Sequence, residues 1–162
     1  MKKILSVVLF GMFILFSAIS FSTENDSPKE PTAETKNLDS PLGIWLVADE
    51  DAKIELYQNG EFLEGKIVWL KEPDKDGKPK VDFKNPDKTL TARPVLNMIF
   101  LTGFKKIKDA KKWEDGKIYD AKSGKTYSAW IKLINENKLQ LHGYVGISLF
   151  GRTDEWTRSS LK

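Results

Sequence analysis

The sequence predicts an all-β domain, an antiparallel barrel of about eight short strands with little helix. Three observations lead there. Apolar and polar residues alternate with a period of two in one segment after another from Ile44 onward. Hairpin signals stand at Asn59-Gly60 and at Lys122-Ser123-Gly124. Turn residues interrupt the pattern at short intervals and leave few stretches long enough for a helix. A barrel or a sandwich satisfies such a pattern, and the barrel is preferred because closure removes the exposed edge strands.

The elements follow in order. Ile44 to Val47 starts the first strand, with Trp45 and Val47 on one face. Lys53 to Gln58 places Ile54 and Leu56 on a shared face, turns at Asn59-Gly60 and returns as Glu61 to Leu70. Lys71 to Lys88 reads as a charged loop containing Pro and Gly. Val95 to Phe104 is an apolar run that fits a buried strand or a short helix, and periodicity does not arbitrate. Trp113 to Ala121 and Lys125 to Ile134 flank the second hairpin signal. Leu139 to Val145 and Phe150 to Arg158 complete the set.

Composition sets the outer limits. The chain has 162 residues, 40% hydrophobic and 30% charged, which suits one domain with its own core. One His and no Cys remove most routes to a zinc site or a thiol nucleophile. Lys2 and Lys3 precede an apolar stretch from Ile4 to Phe16, and small residues follow at Ser17, Ala18, Ser20 and Ser22. This is the pattern of a secretory signal peptide over residues 1–22, cut after Ser20 or Ser22. The rival reading is an uncleaved anchor, for which the 18 residues from Ile4 to Phe21 are marginal. The expectation is an exported protein, periplasmic or extracellular, without stable membrane insertion after cleavage; the alternative is an N-terminally anchored one. Cleavage lowers the formal charge from +3 to +1 by removing two lysines, so a nucleic-acid partner has no electrostatic support. Residues 23–40 are polar, with Leu38 the only large apolar side chain, and predict a disordered linker. A single domain over 41–162 remains.

Several strings recur in a recognisable order: Gly43-Ile44-Trp45, Gly65-Lys66-Ile67-Val68-Trp69, Lys84-Asn85-Pro86-Asp87, Arg93-Pro94, Trp113-Glu114-Asp115-Gly116, Ile118-Tyr119-Asp120, Ser123-Gly124-Lys125-Thr126-Tyr127, Gly143-Tyr144-Val145-Gly146 and Gly151 through Arg158. Together they resemble the bacterial exported proteins grouped as domain of unknown function 2147, over about residues 41 to 160. That family more often has Pro at the place of Ala121 and Gly at the place of Asn97. The resemblance implies a lipocalin-like (calycin) barrel and brings no established activity. Lipocalins carry Gly-x-Trp on the first strand and an Arg near the end of the last. Gly43, Trp45 and Arg158 look like that closure set, in which guanidinium over indole gives about 0.5–2 kcal/mol.

On the last strand Arg152, Asp154, Trp156 and Arg158 share one face, and Trp156 implies that this face points inward. Two arginines and an aspartate would then form a satisfied internal network, or leave one Arg to hold an anionic ligand. Trp69, Tyr119 and Tyr127 are further candidates for lining a ligand, beside Trp45, Arg152, Trp156 and Arg158. Tyr127 shares parity with Ala129, Ile131 and Leu133 and is expected inside; Trp130 has the opposite parity. His142 falls opposite Leu139 and Leu141 and is expected to be exposed.

No catalytic constellation emerges. A Ser-His-Asp triad would require His142, and no nucleophile elbow accompanies it. Glu72, Asp74, Asp76 and Gly77 imitate the start of a calcium loop, but Phe83 stands where the closing carboxylate belongs. No metal and no cofactor are expected. The expected function is non-enzymatic binding of a small hydrophobic or amphiphilic molecule, such as an anionic, fatty-acid-like one. The alternative is a structural or protein-interaction module of the envelope, its barrel filled by its own side chains.

Overall fold

The computed structural model describes residues 40–162; the predicted signal peptide and nearly all of the predicted linker lie outside the described residues. The strands are β1 (Gly43–Leu46), β2 (Ala52–Asn59), β3 (Phe62–Leu70), β4 (Asp74–Lys75), β5 (Lys78–Pro79), β6 (Ile99–Lys106), β7 (Lys112–Asp120), β8 (Lys125–Asn135), β9 (Lys138–Tyr144) and β10 (Gly151–Ser159). Eight of them close into an antiparallel barrel in the order β1-β10-β9-β8-β7-β6-β3-β2, while β4 and β5 form a separate small hairpin. One 3-10 turn, Lys88–Leu90, is the helical content of the described residues, capped by the Asp87 carboxylate, which accepts from the Thr89 amide at 2.9 Å. The charged loop therefore contains more structure than its composition suggests.

Antiparallel order sorts the connections. The β2–β3, β6–β7 and β8–β9 turns lie with the two ends of the barrel chain at one end, the base. The longer segments 47–51, 71–98, 121–124 and 145–150 lie at the other, the mouth.

Alternation explains most of the core. Ile54 and Leu56 on β2, Leu63 and Ile67 on β3, Ile131 and Leu133 on β8, and Leu139 and Leu141 on β9 all point inward and are buried. The ambiguous run around Leu101 is strand. Leu101 and Phe104 both enter the core although they are three residues apart, a spacing that looks helical. Gly103, at φ 73°, absorbs the extra residue: Leu63 pairs with Phe104, but Gly65 already pairs with Leu101.

Two further bulges reverse side-chain parity. Ile54 pairs with Ile67, yet Lys53 pairs with Trp69, so Val68 is the extra residue and Trp69 turns outward. On β7 the register shifts between Trp113 and Gly116, with Asp115 at φ 62°. Trp113 and Ile118 then face the core side and Tyr119 faces out. Asn97 keeps a left-handed backbone at φ 66°, which Asn tolerates better than most residues.

The base is filled by side chains. Trp45, Phe104, Trp113 and Trp156 are all buried there or just above it, and each such side chain contributes about 1.5–3 kcal/mol by leaving water. Arg158 lies over the Trp45 ring, 4.2 Å from its centroid. Its guanidinium donates to the carbonyls of Leu42 at 2.8 Å, Ser40 at 2.7 Å and Glu136. The Trp45 indole donates to the Pro41 carbonyl at 2.7 Å. Gly43, at φ 119°, leaves room for Arg158: a Cβ there would stand 3.2 Å from Nη1. Burial draws the Arg158 pKa below its ordinary value.

Gly116 marks how tightly the interior is packed. A Cβ at this position would meet the Phe104 ring at 2.3 Å. Gly116→Ala is expected to destabilise the barrel by roughly 1–3 kcal/mol, read as a lower urea midpoint with an unchanged slope.

Candidate functional site

The mouth is where cavities remain. Two bulky inward layers occupy the base, whereas above them β9 ends its inward series at Gly143 and β8 at Tyr127. A cup of about 470 Å³ opens at this level, lined by Ile118, Leu141, Gly143 and Tyr127 and by the charged groups Asp49, Asp120, Lys122, Arg152 and Asp154. Gly143 sits against Ile118, whose Cδ1 would be 3.2 Å from an added Cβ.

A larger, half-open cleft of about 860 Å³ lies beside the cup, beneath the long β3–β6 connection. Its apolar lining comes from Leu70, Pro79, Val81, Phe83, Val95 and Ala121. Lys71, Lys75, Lys78, Lys80 and Lys122 border it, against Asp51, Glu72 and Asp76. Lys80 pairs with Glu72 at 3.5 Å and Lys122 with Asp51 at 3.4 Å, which leaves Lys71, Lys75 and Lys78 without an ion pair among the described residues.

The cleft wall is held by a buried carboxylate. Asp82 is fully enclosed, and two-residue alternation sends it away from Val81 and Phe83, which line the cleft. The Tyr119 hydroxyl donates to Asp82 Oδ1 at 2.6 Å, while Asn85 Nδ2 at 2.6 Å and Arg93 Nη2 at 2.7 Å donate to Oδ2. The Arg93 guanidinium also lies over the Tyr119 ring, 5.7 Å from its centroid. Burial pushes the Asp82 pKa up, but the three donors and the Arg93 charge outweigh it and hold the carboxyl below its ordinary range. Burial and the bond to Asp82 push the Tyr119 phenol up to about 12. Gly124 completes the seal, since a Cβ there would collide with the Lys84 carbonyl oxygen at 2.1 Å.

The sequence candidates therefore separate into three places. Tyr127 and Arg152 line the cup. Trp45, Trp156 and Arg158 belong to the packed base, where Arg158 is engaged by carbonyls and neither cavity reaches them. Trp69 and Tyr119 lie on the outer wall, turned there by the bulges: Trp69 lies under Lys53, 5.4 Å from its ring centroid, and Tyr119 is held by Asp82. The expectation of two buried arginines on one inward face is corrected as well. The shared face is real, but β10 runs from mouth to base, so Arg152 stands at the rim with a side chain 75% exposed. Arg152 Nε bonds Asp154 Oδ1 at 3.0 Å.

His142 is likewise corrected: it is 8% exposed rather than exposed. It does lie outside the barrel wall, but Trp130 stacks on it at 4.9 Å and Tyr144 at 5.9 Å. Its Nε2 meets the Ser148 carbonyl at 3.0 Å, an acceptor only, so Nε2 carries the proton and Nδ1 accepts from Thr153 Oγ1 at 2.7 Å. This holds the β9–β10 loop, whose Val145, Ile147, Leu149 and Phe150 are 59–84% exposed. Sequence reasoning missed the cleft residues. Val81-Asp82-Phe83 alternates within a loop, which was the one signal that could have found them. Among the described residues no three His, Asp or Glu side chains are grouped to hold a metal ion.

Comparison with known proteins agrees with this architecture. Residues 43–158 match the family described as uncharacterized protein conserved in bacteria (DUF2147). The fold is similar to that of protein HP1028 from Helicobacter pylori, described as belonging to the lipocalin family. The TM-score is 0.66 at 21% identity, over 75% of this chain and 84% of that one, a likeness of fold. No curated protein matches.

The Asp82 network makes a pH-dependent contribution to stability. Because the folded pKa is depressed, that contribution is complete above the ordinary Asp value of about 3.9 and is lost as pH falls through the lower, folded one. Asp82→Asn is expected to cost about 1–3 kcal/mol at neutral pH. The gap from the natural protein should narrow as pH is lowered from about 5 to 2, as read by denaturant titration at each pH.

Proposed function

The chain belongs to the DUF2147 family of bacterial proteins and folds as a lipocalin-like barrel, and on that premise we propose that it is an exported, non-enzymatic binder of a small anionic amphiphile. The observation that carries this reading is the 860 Å³ cleft, with its apolar lining and its surplus of unpaired lysines. Phe83, 59% exposed within the cleft wall, offers an aromatic face to a hydrocarbon tail. Lys71, Lys75 and Lys78 offer charge to a carboxylate or phosphate head. Cavities of this size with an apolar lining and few polar groups are the usual form of small-molecule sites. The filled base restricts the ligand to the mouth.

Each methylene removed from water contributes about 0.8 kcal/mol, so affinity should rise with chain length until the tail outgrows the cleft. Titration calorimetry of the full chain with octanoate, decanoate and dodecanoate is expected to show roughly a tenfold gain per two methylenes. Dodecanol, lacking the charge, should bind more weakly, and Phe83→Asp should weaken dodecanoate at least tenfold. No saturable binding by any of the three acids, or an unchanged affinity in Phe83→Asp, would overturn the reading.

A second reading, an envelope module that acts through its loops, is favoured by the apolar β9–β10 loop. It predicts a protein partner that co-purifies from the native host and is lost in the Leu149→Ser, Phe150→Ser double variant. The ligand reading predicts that this variant still binds dodecanoate.

A further inference from the structure

The cup is a second site, distinct from the cleft; of the residues around the two, Lys122 alone borders both. Its chemistry does not suit the ligand proposed for the cleft. Three carboxylates, Asp49, Asp120 and Asp154, face one ammonium and one guanidinium, so an added monoanion would meet as much repulsion as attraction. A simple cation would meet Arg152 and Lys122.

The internal bonds show which of these groups are free. Asp120 is used by its own turn, accepting from the Lys122 amide at 2.9 Å and from Ser123 Oγ at 2.6 Å. Asp154 gives one oxygen, Oδ1, to Arg152 Nε, and this bond fixes the guanidinium at the rim. Arg152 Nη1 and Nη2, the Tyr127 hydroxyl and the Asp49 carboxylate have no partner among the described residues. A two-pronged donor and an unpaired acceptor thus border one cavity, above an apolar floor of Ile118 and Leu141.

We propose that the cup binds a small aliphatic zwitterion, an amino acid or dipeptide carrying a free carboxylate, a free ammonium and a branched apolar side chain. The carboxylate takes the paired Nη donors of Arg152, whose planar fork matches its two oxygens. The ammonium takes Asp49, and the side chain rests on Ile118 and Leu141. The size agrees: 470 Å³ is room for roughly fifteen water volumes of about 30 Å³ each, a space for a molecule of that order of non-hydrogen atoms rather than for a long acyl chain. Gly143 keeps this space open, because any side chain there would press on Ile118.

The test is calorimetric titration of the full chain with leucine and leucyl-leucine, beside N-acetyl-leucine, which lacks the ammonium, and leucine amide, which lacks the carboxylate. The zwitterions are expected to bind saturably, and each blocked form at least tenfold more weakly. Arg152→Gln should abolish the preference over leucine amide, and Asp49→Asn the preference over N-acetyl-leucine. Both residues are exposed at the rim, and an unchanged thermal midpoint shows that the variants are folded. Failure of both zwitterions to saturate at millimolar concentration would overturn the proposal, as would equal binding of all four compounds or wild-type affinity in Arg152→Gln. Dodecanoate binding reads the cleft separately, so either site can fail without the other.

Discussion

The barrel depends on one short seam. β1 has four residues in register, yet it must pair with β2 on one side and with β10 on the other to close the sheet. Seven strands without it would present two long edges, each a template for pairing with another chain. Arg158 and Trp45 secure that seam. They are cross-strand partners in the β1–β10 register, the guanidinium lies over the indole, and its nitrogens reach carbonyls on both the incoming chain and the β8–β9 turn. One side chain thus satisfies three backbone acceptors and covers the base, with each of its three guanidinium nitrogens engaged by a carbonyl.

With the base sealed, the fold has only its mouth to vary, and the mouth is organised around Asp82. A buried carboxylate is tolerated when its oxygens are fully bonded, and Asn85 and Arg93 from the same long connection provide this together with Tyr119 from β7. Fixing Asp82 fixes its neighbours Val81 and Phe83 on the opposite side. A polar network on the outer wall thereby shapes an apolar surface in the cleft. The network and the Arg158 set are thus the same device at opposite ends: a charged side chain held by distant chain segments, with hydrophobic surface positioned as the result.

Legibility from sequence followed locality. Hairpins and alternation are properties of neighbouring residues, so β2, β3, β7, β8 and β9 could be read as strands, and β2, β8 and β9 with their inward faces. A bulge is a property of a pair of strands and leaves no mark in either one alone. It reversed Trp69 and Tyr119 and made Leu101 and Phe104 resemble a helix. Burial of polar residues was harder still. Asp82 looks like one more charge in a charged loop until Tyr119, 37 positions away, is brought against it. His142 could be assigned its side of the strand but not the cover of Trp130 and Tyr144, which depends on the β8–β9–β10 stacking order. Tyr127 and Arg152 were placed at a cavity because they follow uninterrupted alternation.

The β9–β10 loop sets the colloidal behaviour of the protein apart from its conformational stability. Closure has removed the barrel's strand edges, through which β-proteins usually aggregate, and among the described residues Val145, Ile147, Leu149 and Phe150 group four strongly exposed apolar side chains in one loop. Attraction between molecules at high concentration then has a local source in this six-residue loop. It would persist in a fully folded sample far below the melting temperature, and it would be changed by substitutions that leave the melting temperature where it was.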